Sequence, residues 1–430
     1  MRQDDIDLTN PVFFASGDPH AIWRRLRSED PVHWTEGRLT RKFWSVTRHA
    51  DAKFMLMNDN RIFSVQRAGA NLPMGPEFEN PDDSLFTQLT QSAQQLATMD
   101  GQPHNALRRY FSTKFTSNTV NSLEGLVREI SEEILSDILP RGECDFTTQY
   151  AGRLPTAVIA AILGVPRELW DDFYLWNNMF AAPDDPEFSI GTPVETSTAG
   201  VSNIMRTVIE LAEQRRAEPQ DDLLTALVQA EIDGVPLTPT QIGFNGLMFF
   251  AAGHETTRSS MSVGLLELLK DPEQLEWLRA NRHDPAVLRA AAEEFVRYSS
   301  PLTHTLRTVT EDVEVGGQQM KAGDWAVIWF HPANRDDAVF PDAEKFDVRR
   351  SPNPHLGFAV GKHFCLGAHL ARLDMAVMLE AVLEHMDAIE LAGPVEWSSS
   401  NLFWGIKHMP IRFRARDVAK HGKLVREARG

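Results

Sequence analysis

The sequence predicts a mainly α-helical fold with a smaller β part, arranged around one long central helix. Three observations carry that reading. Apolar residues recur three and four positions apart through much of the stretch from about Gln102 to Arg297, most clearly in Leu123 to Leu139 and Leu223 to Ile232. A run from Thr238 to Asp271-Pro272 carries helix start and stop signals about 32 residues apart, or roughly 48 Å at the α-helical rise. After Tyr298 the helical period gives way to short strand-like stretches such as Val313 to Val315 and Trp325 to Phe330.

In chain order, Ala21 to Ser28 reads as a helix, and Pro31 to Thr35 and Phe43 to Thr47 read as strands. Gly69 to Asp83 is rich in Gly, Pro, Asn and Asp and reads as a long irregular loop. Ala181 to Thr198, rich in Pro, Asp, Ser and Thr, reads as a second loop, and such loops often serve as lids. Thr238-Pro239-Thr240-Gln241 joins an N-cap Thr, a Pro at the first helical position and a Gln at the capping-box position. Gly316-Gly317 marks hairpin turns between the late strands, a helix follows from Gly367 to about His385, and Met409 to Arg414 reads as a terminal strand. No repeat or Gly/Ser linker divides the chain. Residues 1–430 are therefore expected to form one domain, α-rich at about 100–300 and 360–390, and β-rich at about 30–50, 310–330 and 395–416.

Sixty acidic against 43 basic side chains leave a formal charge of −17. That argues against nucleic acid as a general partner, because phosphate binding relies on a basic face. Two cysteines, Cys144 and Cys365, are too few for a disulfide framework or a cysteine-rich zinc site. The opening Met-Arg-Gln-Asp-Asp-Ile-Asp is acidic and polar, unlike a signal peptide or an anchor. Val235 to His254 carries no charge but contains Pro, Gln, Asn and Thr, and reads as a buried helix rather than a membrane span. A reduced, cytoplasmic protein with no membrane segment is expected.

Two segments interrupt these patterns with chemistry. Inside the long helix lies Ala251-Ala252-Gly253-His254-Glu255-Thr256-Thr257. Taken alone it has two readings. Glu255 and Thr256 can sit on a solvated helix face, or the helix can open at Gly253 so that a ligand packs against its backbone and an acid and an alcohol pass protons there. The second segment, Gly357 to Gly367, precedes an amphipathic helix. It is not a phosphate-binding loop, which needs four residues between its glycines and Ser or Thr after the Lys; here three residues intervene and His363 follows Lys362. His363 and Cys365 also stand too close in sequence for a usual Cys/His nucleophile pair. A metal thiolate remains: a Cys just before a helix start has its thiolate stabilised by free N–H groups, and flanking glycines admit a flat ligand. One thiolate without a second ligand nearby fits haem iron, where the porphyrin supplies the other donors. Cys144 reads as a buried, inert thiol. The Phe-x-x-Gly-x-x-x-Cys-x-Gly pattern would arise by chance in about four of ten thousand chains of this composition.

These residues resemble those of the cytochrome P450 family, the haem-thiolate monooxygenases, along nearly the whole chain, from about Asp18 to Arg414. The cysteine loop looks like the family's haem-binding signature, and Ala252-Gly253-His254-Glu255-Thr256 like its oxygen-activation motif. Glu294-Phe295-Val296-Arg297 is similar to its structural Glu-x-x-Arg motif, with Arg350 aligning as the third member of that cluster. Ala359 is a departure, since most relatives have Gly directly after the Phe.

The resemblance implies a P450 fold with the long helix over haem b, and Cys365 as the axial thiolate. Ala252, Gly253, Phe358, Gly361 and Gly367 would pack on the haem, while His104, Arg108, Arg307 and His363 match the propionate-binding positions. Glu255 and Thr256 would relay protons, with Glu255 turned sideways toward a solvent channel. Electrons would come from a ferredoxin and ferredoxin reductase, docked on a basic patch of Arg109, Lys114, Lys362 and Arg372. The pocket would draw on the loop around Asn71 to Met99, on Met248, Phe249 and Ala252, on Leu302, Thr303 and Thr305, and on Leu402 and Phe403. Such a lining suits a bulky apolar substrate, steroid, terpenoid or lipid-like, acted on by a monomer. A haem-thiolate peroxygenase or isomerase and a non-catalytic haem sensor are the rival readings; the acid–alcohol pair counts against the first.

Overall fold

The structure is a computed structural model that describes residues 8–10, 14, 19–37, 40–72, 93–183 and 185–416. The expected loop at Gly69 to Asp83 lies outside these residues from position 73 onward, as does most of the stretch from Asn71 to Met99. The elements that position the site are α1 (Pro19–Glu29), β1 (Val32–Thr35), β2 (Phe43–Val46), α2 (His49–Met57), β3 (Phe63–Ser64) and α3 (Gly101–Ser112). There follow α4 (Glu124–Ile138), β4 (Glu143–Asp145), α5 (Arg153–Leu163), α6 (Trp170–Ala181), α7 (Pro193–Ala217) and α8 (Leu223–Gln229). The second half holds α9 (Pro239–Lys270), α10 (Pro272–Ala280), α11 (Pro285–Ser299), β5 (His304–Val309), β6 (Trp325–Trp329), α12 (Ala368–His385), β7 (Met386–Leu391), β8 (Ile406–His408) and β9 (Pro410–Ala415).

The long helix begins where its cap residues place it. The Thr238 hydroxyl accepts the Gln241 N–H at 3.3 Å, and the Gln241 side chain accepts the Thr238 N–H at 2.8 Å. The same device operates at Thr192 and Glu195, so α7 starts at Pro193 and the second expected loop shrinks to residues 182–192. From Thr257 to Leu266 every residue of α9 is buried, the mark of a helix enclosed on all sides. It packs against α5, α7, α11 and α12. Gly264 permits the closest of these approaches: a Cβ there would stand 2.4 Å from the Phe295 ring of α11.

Five strands form the larger sheet in the order β1-β2-β6-β5-β3. β6 is buried along its whole length and lies at the centre, parallel to β2 and antiparallel to β5. Trp325 to Trp329 is thus a central strand rather than part of a hairpin with Val313 to Val315; that hairpin instead pairs Val313–Val315 with Gln318–Met320 across Gly316-Gly317. A second sheet, β7-β9-β4, carries Cys144 opposite Ile411.

A polar cluster locks α11 to the chain that leads into the cysteine loop. Glu294 and Arg297 are both fully buried and share two bonds of 2.8 Å. Arg297 also donates to the carbonyls of Asn334, Ala343 and Lys345, while Glu294 accepts from Arg350, Asn353 and the Asp347 N–H. Asn334 in turn accepts the Leu356 N–H at 2.7 Å, one residue before Gly357.

Candidate active site

A cavity of about 330 Å³ opens between α9 and the segment Gly357–Gly367, within the size range of small-molecule sites. Cys365 lines it, partly exposed to that space. The Cys365 N–H donates to the Phe358 carbonyl at 2.8 Å, which closes the loop, and the Gly367 N–H at the start of α12 is aimed at the sulfur. Burial pushes the thiol up, while that N–H, Arg108 and Arg372 pull it down. Cys144 does not line this cavity; burial in β4 drives its thiol up to about 12. Only one of the two sulfurs can therefore serve as an accessible thiolate ligand.

The loop's residues each have a physical task. Phe358 is buried, lines the cavity, and carries the Arg372 guanidinium 4.4 Å from its ring centre. Gly361 does not reach the cavity wall: at φ +78° its missing side chain lets the loop press on α2, where a Cβ would meet the Leu56 carbonyl at 2.5 Å. Ala359 lines the cavity with φ +52°, a left-handed conformation that suits Gly. Left-handed strain costs about 1–2 kcal/mol, and a Gly returns about 0.4–1 kcal/mol of that in unfolded-chain entropy. Ala359→Gly should therefore stabilise by about 0.5–1 kcal/mol. The check is the urea midpoint for retention of the haem, and a lowered midpoint would contradict the strain.

Basic groups gather on one side of this space. His104 and Arg108, one turn apart on α3, line it together with Arg307 and His363. Burial and Arg108 hold the His104 imidazole below its usual range; Asn105 lies near it, yet neither ring nitrogen completes a hydrogen bond. Its ring lies 4.4 Å from that of His363, which burial, Arg307, His104 and Arg108 push down to about 2. His363 Nε2 is likewise unpartnered. Arg108 donates to the Phe364 carbonyl at 2.6 Å. Arg307 is held by a residue that the sequence reading missed: Asp59 takes its Nε at 2.5 Å and one Nη at 3.0 Å. A lone Asp before a short strand offers no sequence signal for that role.

The opposite wall comes from α9 and the turn into β5. Met248, Phe249, Ala252, Gly253 and Thr256 face the cavity, joined by Leu302 and Thr305. The helix does not open at Gly253; it runs unbroken, and Thr256 bonds back to the Ala252 carbonyl at 2.8 Å. Glu255 lies outside the lining, only 3% exposed and bonded to Arg258, so it does not face a solvent channel as expected. Met99, Thr303, Leu402 and Phe403 also stand outside the lining. Thr303 is occupied by the Asn401 carbonyl, Phe403 bridges to Leu302, and Met99 is buried in the core. The expected basic patch divides. Arg372 is tied through both oxygens to Glu293, and Lys114 to Asp221, whereas Arg109 and Lys362 are exposed.

The family model for cytochrome P450 matches residues 189–396. A steroid C26-monooxygenase of Mycolicibacterium smegmatis is 34% identical over 416 residues, covering 95% of this chain and 94% of its own. Linalool 8-monooxygenase of Pseudomonas putida is 32% identical, covering 94% and 98%. Among solved structures, a Mycobacterium marinum cytochrome P450 in complex with pseudoionone superposes with a TM-score of 0.86 at 30% identity, covering 96% and 99%. The chain belongs to the cytochrome P450 family. It is a monooxygenase whose cofactor is haem with a cysteine thiolate as axial ligand, here Cys365.

The residues present fit that group. A cavity-facing thiol has the Gly367 N–H aimed at it, and the unpartnered ring nitrogens of His104 and His363 stand beside two arginines where carboxylates would satisfy them. His104, Arg108, Arg307 and His363 would hold the propionates. Bound there, haem supplies the activation of O₂ and insertion of one oxygen atom into substrate. Among the described residues no helix is long and apolar enough to cross a membrane.

Proposed function

We propose that the protein hydroxylates a bulky apolar small molecule of steroid, terpenoid or lipid-like kind, using O₂ and electrons from a separate ferredoxin and ferredoxin reductase. The supporting observation is the makeup of the cavity wall, where Leu96, Phe115, Ile159, Met248, Phe249 and Leu302 predominate and the hydroxyls are those of Thr256, Thr257, Ser260 and Thr305. Such a surface binds by excluding water and orients by few polar contacts. The steroid and linalool monooxygenases and the pseudoionone complex named above agree in substrate character.

Thr256 holds the proton-donating position. Its hydroxyl rests on the Ala252 carbonyl, leaving its lone pairs to anchor water; rotation about the Cβ–Oγ1 bond turns the O–H toward the cavity. Glu255, about 100° around the helix, resupplies that proton from behind. Thr256→Ala should keep the spectrum of the reduced, CO-bound protein and the affinity for substrate. Product per electron consumed should fall about tenfold, with the balance released as hydrogen peroxide. Full coupling in this variant would remove the hydroxyl from the mechanism and favour peroxygenase or isomerase chemistry.

Arg109 and Lys362, exposed beside Arg108 and His363, support an acidic redox partner on the cysteine side of the cavity. Arg109→Glu and Lys362→Glu should each slow reduction by ferredoxin several-fold at low salt, with the deficit shrinking as salt rises. Reduction rates indifferent to both would place the docking face elsewhere. Arg372→Glu is a poor probe of docking, since it would set two carboxylates against each other at Glu293.

A further inference from the structure

Behind the cavity wall, on the face of α9 turned away from it, lies a cluster of buried polar side chains with open valences. His254 has no exposure and Glu255 only 3%. The Thr156 hydroxyl of α5 donates to the Gly152 carbonyl at 2.8 Å, which uses its single hydrogen. Thr156 also forms a short hydrogen bond with His254 Nδ1. Toward that nitrogen Thr156 can only accept, so Nδ1 carries the proton and Nε2 is a bare lone pair. That lone pair faces Glu255 Oε2 at 3.7 Å, beyond hydrogen-bond range, and neither atom has another partner. The other carboxylate oxygen is bonded to Arg258.

The surroundings are consistent with an unoccupied proton site. Burial and the Arg258 charge hold the His254 imidazole well below its usual range, so it rests neutral. From α6 the Tyr174 ring lies 5.4 Å from the imidazole, but its hydroxyl donates to the Thr148 carbonyl at 3.3 Å. Arg153 of α5 stands beyond that ring, paired with Asp171. No carboxylate other than Glu255 ion-pairs with His254 among the described residues. Two acceptors, one lone pair and one carboxylate oxygen, thus face each other across a gap that a shift of under about one ångström would close.

We propose that His254 is a positioning residue for oxygen activation: its Nε2 and Glu255 Oε2 together hold one proton for delivery to Thr256, with Thr156 fixing the required tautomer. This rests on the proposed relay through Glu255 and Thr256. When the pair is loaded, a hydronium proton from bulk solvent bonds to Oε2, leaving water behind, and is shared with the Nε2 lone pair. When it discharges, the Oε2–H bond breaks and its proton bonds to Thr256 Oγ1 as that hydroxyl gives up its own proton into the cavity, and the pair returns to carboxylate and neutral imidazole. No electrons are transferred within the pair.

The tautomer can be read directly from ¹⁵N shifts of the His254 ring in the reduced, CO-bound protein, which is diamagnetic. The expected state is a protonated Nδ1 and a bare Nε2; Thr156→Val should move the proton to Nε2. In turnover, His254→Phe and Thr156→Val should each keep the CO-bound spectrum and the substrate-induced spectral shift. Each should lose about tenfold in product per electron and show an enlarged solvent isotope effect on the oxygen-dependent step. Adding His254→Phe to Glu255→Gln should cost nothing further. A wild-type ring protonated at Nε2 would overturn the proposal. So would full coupling in both single variants while Glu255→Gln is uncoupled, which spares the relay itself. Full coupling in Glu255→Gln would instead strike the relay, and this inference with it.

Discussion

Cys365→Ser abolishes the long-wavelength Soret band of the reduced, CO-bound protein and reduces oxygenation of substrate to background, while Cys144→Ala preserves both. The expectation follows from where the two sulfurs stand. Cys365 borders the cavity; burial raises its thiol, and the Gly367 N–H, Arg108 and Arg372 around it offset part of that rise, so that an iron bound in the cavity could hold it as thiolate. Cys144 is held in β4 by backbone pairing to β9, which a side-chain change leaves intact. Ala is the appropriate control there, because a Ser would bury a hydroxyl in an apolar setting at about 1–3 kcal/mol. Equal loss of the band from both substitutions would mean that the wrong sulfur has been assigned to the iron.

Glu294→Ala should be the most destabilising single change outside the cysteine loop. It leaves Arg297 wholly buried with no carboxylate, a loss of about 3–5 kcal/mol out of a stability of about 5–15 kcal/mol. It also releases Asn353, Arg350 and the Asp347 N–H, which carry the chain toward the loop at Gly357. The measurable result is a protein that expresses poorly or loses haem at low urea. Arg350→Ala should be milder, because Arg297 keeps both its bonds to Glu294 and Arg350 otherwise contacts only backbone carbonyls. An Arg350→Ala variant less stable than Glu294→Ala would reverse that ranking.

The long helix, its cap and the cysteine loop were legible because each is a local device. Thr238 and Gln241 act three residues apart, and the loop gathers Phe358, Gly361, Cys365 and Gly367 within ten positions. Pairings distant in sequence were not. Nothing in the chain around Asp59 announces Arg307, 248 residues away, and nothing near Arg372 announces Glu293. The direction of a side chain on a buried helix was equally hidden: Thr256 facing the cavity forces Glu255 away from it, but whether solvent or protein lies behind depends on α5 and α6. The placement of α7 was the exception, since Thr192-Pro193-Val194-Glu195 is a readable capping box that the surrounding Pro, Ser and Thr obscured.

Gly361 leans on the Leu56 carbonyl in the last turn of α2, and Asp59, two residues beyond that helix, grips Arg307 on β5. One nine-residue helix end is therefore the common datum for both sides of the cofactor's seat, as a single machined face locates two parts of a jig. A displacement of α2 would bear on the cysteine loop and on Arg307 together, because both are braced on the same few residues. Sequence drift in this small helix would thus reshape the cavity from two places at once, at the cysteine loop and at Arg307.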